Sequence, residues 1–461
     1  MTRHQKTILA MAVLGTIGVL NSATAAVNIS DPAANSVVYA SEIVKGANGV
    51  SLSAVAANAL QFKIGYNFSD GEVRYARVEC DTNLVFNVVT NVAVSGNSVT
   101  TGSINGTGTN AIFFSLTGTG AASQDTNATV NTSWVLKDNN PASCSYSLYD
   151  MPSQAQAGGT SGRILTVGRE FLKSASGVKF TVTPNTATAD VDAANGSYTL
   201  FTTGANGSLG TVKIEAASGV LIANGAAAGP TTIYGANTSL VLAGDISATA
   251  ANGIVQIDAA SNCSVPTGVN AFDTQNRTTG LATEVIGAAA LERGICFVSN
   301  QTVAIPAATY ALTLKPVATS NSYAVSDTTL DFGKIVRNGT ELVAPLAQVP
   351  TGWLSRLVLN NTGTVARAYT VTLVPATGGS TTESSTTYSG TLTATGTIPA
   401  NGTTVVSVAD LFPTANFTGP ARGTLKVTVS ATRSSINGMY QIVNPTSGSI
   451  SNHILVAPGT N

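Results

Sequence analysis

Nine Asn-Gly dipeptides cut this chain into short pieces, at Asn48, Asn105, Asn195, Asn206, Asn224, Asn252, Asn338, Asn401 and Asn437. Both residues tolerate the positive φ that tight hairpin turns demand, so each pair marks a place where one strand can end and the next begin. Between these marks apolar and polar residues alternate with a period of two. In L-Q-F-K-I-G-Y-N-F, residues 60–68, Leu60, Phe62, Ile64, Tyr66 and Phe68 share one face, while Gln61, Lys63 and Asn67 take the other. Ser69-Asp70-Gly71 then turns the chain toward Val73 and Tyr75, which predicts a hairpin. The same alternation runs through Val178, Phe180 and Val182, through Val212 and Ile214, through Tyr369, Val371 and Leu373, and through Leu425, Val427 and Val429. An antiparallel strand that is buried on one face and wet on the other produces this pattern. The chain reads as all-β, two or three antiparallel β-sandwich domains with little helix.

One stretch departs from the pattern. T-G-L-A-T-E-V-I-G-A-A-A-L-E-R-G, Thr279 to Gly294, is alanine-rich and predicts a short helix leading to Cys296. Two others carry no strand pattern, Met151–Gly162 and Val317–Ser326, and read as linkers or long loops. They divide the chain into a leader, 1–25, and three β-domains, 26–155, 160–318 and 325–461, each long enough to bury a core. The middle domain also resembles the Asn/Gly-punctuated strands of β-helical adhesins between Ala205 and Gly225, so a β-helix stands there as the alternative to a sandwich.

Arg3 and Lys6, the apolar run Ile8–Leu20 and then Ala23-Thr24-Ala25 form the three regions of a bacterial-type signal peptide, which predicts a mature chain starting at Ala26. No later apolar run approaches the length of a membrane-spanning helix. The expectation is an exported protein without a transmembrane span, at the cell surface or extracellular, from a Gram-negative-type bacterium. Export to an oxidising compartment makes disulfides of the four cysteines, and pairing within proposed domains gives Cys80–Cys144 and Cys263–Cys296. A zinc site is the competitor, but the sole histidine beyond the leader is His453.

Charged residues make up 10% of the chain and the formal net charge is −1, so the clustered Lys and Arg that neutralise nucleic-acid phosphates are missing. A surface of hydroxyls and amides has little charge repulsion to keep copies apart, which favours self-association.

Asp331-Phe332-Gly333 matches the magnesium-binding tripeptide of protein kinases, but no glycine-rich phosphate loop or H-R-D-type catalytic loop accompanies it. A different resemblance starts at the same place. Leu330-Asp331-Phe332-Gly333, followed by Arg356-Leu357-Val358-Leu359-Asn360-Asn361-Thr362-Gly363, resembles the L-D-F-G and L-x-N-T-G pattern of ASH-type immunoglobulin-like domains. That resemblance implies an assembly or binding sandwich at the C-terminal end, with Leu330–Phe332 as its first strand and no catalytic residues.

D-V-D-A-A-N-G-S, Asp190 to Ser197, places Asp190, Asp192 and Asn195 together as hard oxygen donors of the kind calcium prefers. No glutamate closes the set, and a solvated turn is the first reading. A hydrolase would have only His453 for its base and no G-x-S-x-G elbow, so no enzyme is expected. The two tryptophans, Trp134 and Trp353, lie in strand-like contexts where core packing is the default. Few charges with abundant Thr, Ala, Val, Gly and Asn resemble the composition of bacterial surface-layer proteins. The expected role is a structural subunit that self-associates as part of the cell envelope. The alternative is a monomeric adhesin or carbohydrate-binding surface protein. No cofactor is expected, unless calcium.

Overall fold

The computed structural model describes residues 26–121, 123–195, 197–258, 263, 272, 280–349, 352–376, 391–412 and 421–457. The proposed leader lies outside them. The fold is all-β and divides into two compact units. The first comprises the chain up to Val178 together with Ala216–Ile233 and Ser320–Ala324. The second holds Lys179–Glu215, Tyr234–Thr319 and the chain from Val325 onward.

The first unit is a sandwich of a five-stranded and a seven-stranded sheet. In the five-stranded sheet, Asn127–Leu136 pairs along its length with Leu84–Val94, while Leu60–Lys63 and Val50–Leu52 also pair with it. In the other sheet, Ala142–Tyr149 lies between Val73–Cys80 and Arg163–Ala175. The core between the sheets is aromatic. Phe62 stacks on Tyr146 at 4.0 Å between ring centroids, and Trp134 packs against Phe86 at 4.6 Å and Phe171 at 5.1 Å. Trp134 donates its indole N–H to the carbonyl of Asn58 at 2.9 Å, and Tyr146 donates its hydroxyl to that of Ile64 at 3.0 Å, so neither polar atom is orphaned by burial. Cys80 and Cys144 face one another in register on neighbouring strands and are joined as a disulfide.

The alternation of residues 60–68 is correct but the predicted hairpin is not. Leu60–Lys63 belongs to the five-stranded sheet and Val73–Cys80 to the seven-stranded one, so the chain changes sheets, passing Gly65 at φ 69° and turning at Gly71 at φ 76°. Residues 151–162 are fastened down. Pro152–Ala157 forms a short helix whose Ala155 is buried, and Arg77 donates to the carbonyls of Ala155 and Gln156. The strand that follows, Arg163–Ala175, pairs with Ala142–Tyr149, so the sheet continues through the boundary placed at 155–160.

The second unit contains two sandwiches. One packs the four-stranded sheet Val178–Pro184, Asn206–Ala216, Leu291–Ser299, Thr249–Asp258 with the five-stranded sheet Thr186–Ala189, Thr328–Arg337, Ala308–Lys315, Ser239–Ala243, Leu281–Val285. Phe297 packs edge-on against Phe201, which bridges to Ala189 of the five-stranded sheet, and against Tyr310 of that sheet, with ring centroids at 5.7 and 6.4 Å. Antiparallel pairing of Asn206–Ala216 with Leu291–Ser299 makes this a sandwich and not a β-helix, whose coils would pair in parallel. Cys296, at the centre of Leu291–Ser299, is bonded to Cys263.

The helix predicted over 279–294 is replaced by two strands, Leu281–Val285 and Leu291–Ser299, in different sheets. Thr283, Val285 and Ile286 are β-branched and lose side-chain freedom in a helix, and the alanine run spans only three residues, too few to sustain one. Gly287 at φ 72° makes the turn between the strands.

Leu330-Asp331-Phe332-Gly333 does not begin the last sandwich. It lies within Thr328–Arg337, which pairs antiparallel with Ala308–Lys315 and in parallel with Thr186–Ala189. The two halves of the ASH-like pattern therefore sit in different sheets. Phe332 is fully buried, Asp331 is exposed, and Gly333 passes so close to the neighbouring chain that a Cβ there would lie 2.2 Å from the carbonyl oxygen of Leu209. The glycine is needed for backbone approach, not for phosphate chemistry.

The last sandwich packs Thr340–Val349, Ala421–Val429, Arg367–Pro375, Leu392–Ile398 against Gly402–Ser407, Leu354–Asn361, Ile436–Val443, Ile450–Ile454, in those spatial orders. Its core is mostly aliphatic, with Leu342, Leu357, Leu359, Val371, Leu425 and Val427 buried together with Tyr369, Phe412 and Tyr440.

Candidate functional site

The last sandwich is open along one side. Thr340–Val349 and Ile450–Ile454 are edge strands of its two sheets and flank a groove of about 1000 Å³. At one end the groove is closed by backbone: Val343 donates to the carbonyl of Val456 at 2.8 Å, and Leu455 is buried beneath. Beyond Ala344 a β-bulge at Pro345 and Leu346 swings the strand outward, and Pro345 has no N–H to offer. Strand pairing across the gap stops there. Leu346, Trp353 and Ile454 are left 53%, 41% and 79% exposed. Trp353 does not pack into the core as its strand-like context predicts, because it follows Gly352 at φ 77° and precedes the strand Leu354–Asn361 rather than lying in it.

Tyr440 anchors the floor. Its hydroxyl accepts from the backbone N–H of Gln348 at 2.8 Å, donates to the carbonyl of the same residue, and lies 2.5 Å from the Ser355 hydroxyl, which donates to that carbonyl at 2.9 Å. Burial pushes the Tyr440 phenol up from its ordinary pKa, with the hydrogen bonds to Ser355 and Gln348 pulling the other way. The hydroxyl is therefore a fixed neutral bridge between the two sheets. Opposite Tyr440 on the neighbouring strand sits His453, with the rings 6.3 Å apart, and His453 Nε2 is 3.2 Å from the Ser451 hydroxyl. No carboxylate among the described residues hydrogen-bonds His453. A serine–histidine pair needs a third group to orient the imidazole before it acts as a nucleophile and base.

The other residues singled out from sequence have structural employment. Asp190 accepts from the side-chain amide of Asn338 at 2.9 Å, while the Asn338 carbonyl oxygen accepts from the N–H of Val191 at 2.7 Å. Asp192 forms an ion pair with Arg367. Asn195 donates to Gln301 at 3.3 Å. The three calcium candidates are thus directed to three separate partners, and among the described residues no three His, Cys, Asp or Glu side chains gather as a metal set. The Asp192–Arg367 pair instead ties the two sandwiches of the second unit together, and the Asp190–Asn338 exchange holds the short segment that joins them. Within the earlier of these sandwiches, Arg337 lies 4.5 Å over the Tyr198 ring and donates to the carbonyl of Ile305 at 2.9 Å.

No family model matches the chain, and no curated protein does. Solved structures align at low similarity. The major pilin subunit of Bacillus cereus aligns at 9% identity and a TM-score of 0.21, over 83% of this chain and 96% of the pilin. The C-terminal domain of the Streptococcus pyogenes antigen I/II-family protein AspA aligns at 12% and 0.18, over 56% of this chain and 84% of that domain. Salmonella alpha-2-macroglobulin aligns at 8% and 0.19, over 91% of this chain and 24% of that one. None of these likenesses places the chain in a family. Among the described residues no helix is long and apolar enough to cross a membrane.

Proposed function

We propose that this chain is an exported structural subunit that self-associates at the bacterial cell surface, in a layer, a filament or a similar assembly, and that it has no catalytic role. The observation that carries the reading is the open side of the last sandwich. An edge strand with every residue exposed, Ile450–Ile454, borders a groove that displays Leu346 and Trp353 to solvent. Contiguous exposed apolar surface of this kind is what association with another chain covers. Two disulfides and a surface with few charges support the same reading, because they suit a protein that keeps its shape outside the cell and does not repel its neighbours.

One observation favours a second reading, a monomeric adhesin or carbohydrate-binding protein. Trp353 shares the groove with Gln348, Asn452 and His453, an aromatic face beside amide and imidazole donors, and such a surface can stack on and hydrogen-bond a sugar ring. Electron microscopy of the purified protein, with and without calcium, separates the two. Ordered sheets or fibres are expected. A dispersed monomer whose Trp353 fluorescence shifts on titration with a glycan would replace the structural reading with the adhesin one, and hydrolysis lost in a His453→Ala variant would replace both.

A further inference from the structure

We propose that the docking edge for assembly is the outer side of Ile450–Ile454 and that its occupant is Gly402–Ser407 of a second copy, added antiparallel so that one sheet runs through successive subunits. The inference rests on the self-association reading above and names its contact.

Backbone direction identifies the free groups. Leu455 donates to Gly438 and Ser449 accepts from Asn444, both on the neighbouring strand side, so odd-numbered residues turn their N–H and C=O inward. Along an antiparallel strand these directions alternate, so Ile450, Asn452 and Ile454 turn theirs outward. The next even residue, Val456, shows the rule in use, because its N–H and C=O both bond to Val343. Upstream of it the outward row has no partner among the described residues.

Direction also selects the occupant. The sheet runs Gly402–Ser407, Leu354–Asn361, Ile436–Val443, Ile450–Ile454, and all three pairings are antiparallel. Four alternating strands leave the two edges pointing opposite ways. A copy displaced sideways without rotation therefore presents Gly402–Ser407 antiparallel to Ile450–Ile454, and a head-to-tail contact of this sort repeats without closing. Neither edge strand carries the guards that block such pairing: G-T-T-V-V-S and I-S-N-H-I contain no Lys, no Asp or Glu and no Pro. Leu392–Ile398 and Thr186–Ala189 lack them too, but three other edges in the same unit have them. Thr340–Val349 has Pro345 and a bulge, Val178–Pro184 has Lys179, and Leu281–Val285 has Glu284. On the outer face of the sheet, Val405 is 55% exposed and Ile454 79%, so both edges bring an apolar side chain to the seam.

The test uses the full exported protein. All described cysteines are disulfide-bonded, so a single introduced thiol reports one place. Asn452→Cys and Val405→Cys are made separately and treated with a short bis-maleimide, alone and mixed. Covalent dimers in the mixture and in neither variant alone are expected. Dimers from Asn452→Cys alone would show two-fold pairing of Ile450–Ile454 with itself and overturn the proposal. Asn452→Pro, which removes an outward N–H and, within the fold, only the exposed hydrogen bond that the Asn452 side chain accepts from Gln441, and Ile454→Lys, at an exposed position, are expected to reduce sedimentable assembly at least tenfold with unchanged melting. If the wild type assembles and these variants assemble equally, the edge assignment fails while self-association stands. If the wild type never assembles, self-association fails first and the edge with it.

Discussion

The two tryptophans mark how differently the first and last sandwiches use their apolar residues. Trp134 is 0% exposed, enclosed by Phe86 and Phe171, with its N–H satisfied by Asn58, in a sandwich stapled across neighbouring strands by Cys80–Cys144. Trp353 is 41% exposed on the rim of a groove, in a sandwich whose described residues include no disulfide and whose core is mostly aliphatic, with Tyr369, Phe412 and Tyr440 as its buried aromatics. A large aromatic side chain is the most valuable single piece of core a small sandwich can have. The first sandwich buries it. The last leaves it on the surface, where it contributes little to folding and remains available to a partner.

Substitution at these two positions should break the comparison if it is wrong. Trp134→Ala is expected to cost about 3 to 5 kcal/mol, from the lost packing and the orphaned Asn58 carbonyl, and Trp353→Ala less than about 1 kcal/mol, read by denaturant unfolding. Equal losses would mean that the groove is closed in solution. Replacing Cys80 and Cys144 together by serine is expected to cost about 2 to 5 kcal/mol and to open the first sandwich to limited proteolysis while the last keeps its protection. Cleavage spreading equally through both would show that they do not behave as separate compact units.

Smaller effects sharpen the same contrast. Tyr440→Phe removes the acceptor of the half-buried Gln348 N–H and should cost about 1 to 3 kcal/mol, loosening the groove floor without touching the first sandwich. Alkali should act on both sandwiches, since burial raises Tyr440 and Tyr369 in the last one as it raises tyrosines in the first. Burial pushes the Tyr39 phenol up to about 12, against a hydrogen bond from Asn58, and burial moves Tyr146 in the same direction. A raised folded pKa means that the stabilisation is complete below the ordinary value near 10 and is lost as pH climbs toward 12, on the order of 1 kcal/mol for Tyr39 at pH 11. Circular dichroism with proteolysis at pH 11 checks whether the first sandwich loosens at its tyrosines.

Much of the fold was legible because period two is a local signal. Phe62, Val371, Leu373, Val427 and Val429 are all buried on the faces that alternation assigned. Pairing was less legible, because alternation says which way a side chain points and not which strand lies beside it. The chain from Leu60 to Cys80 shows this: both strands are present and they belong to opposite sheets. Thr328–Arg337 shows it again, since a strand that looked like the opening of the last sandwich completes the sheet before it. The groove left only a faint trace. Pro345 interrupts an otherwise regular edge strand, and Gly352-Trp353 follows a turn, but exposure of Trp353 and Ile454 depends on where the opposite sheet ends, which no local pattern reports.

The central claim is that the last sandwich keeps its outer edge for another copy and not for its own stability. Sedimentation and electron microscopy of wild type and Ile454→Lys, alongside their melting curves, test it most directly. At a position 79% exposed the lysine should leave the melting temperature unchanged within error and abolish ordered assemblies. Assemblies of normal order and yield from the lysine variant would contradict the account.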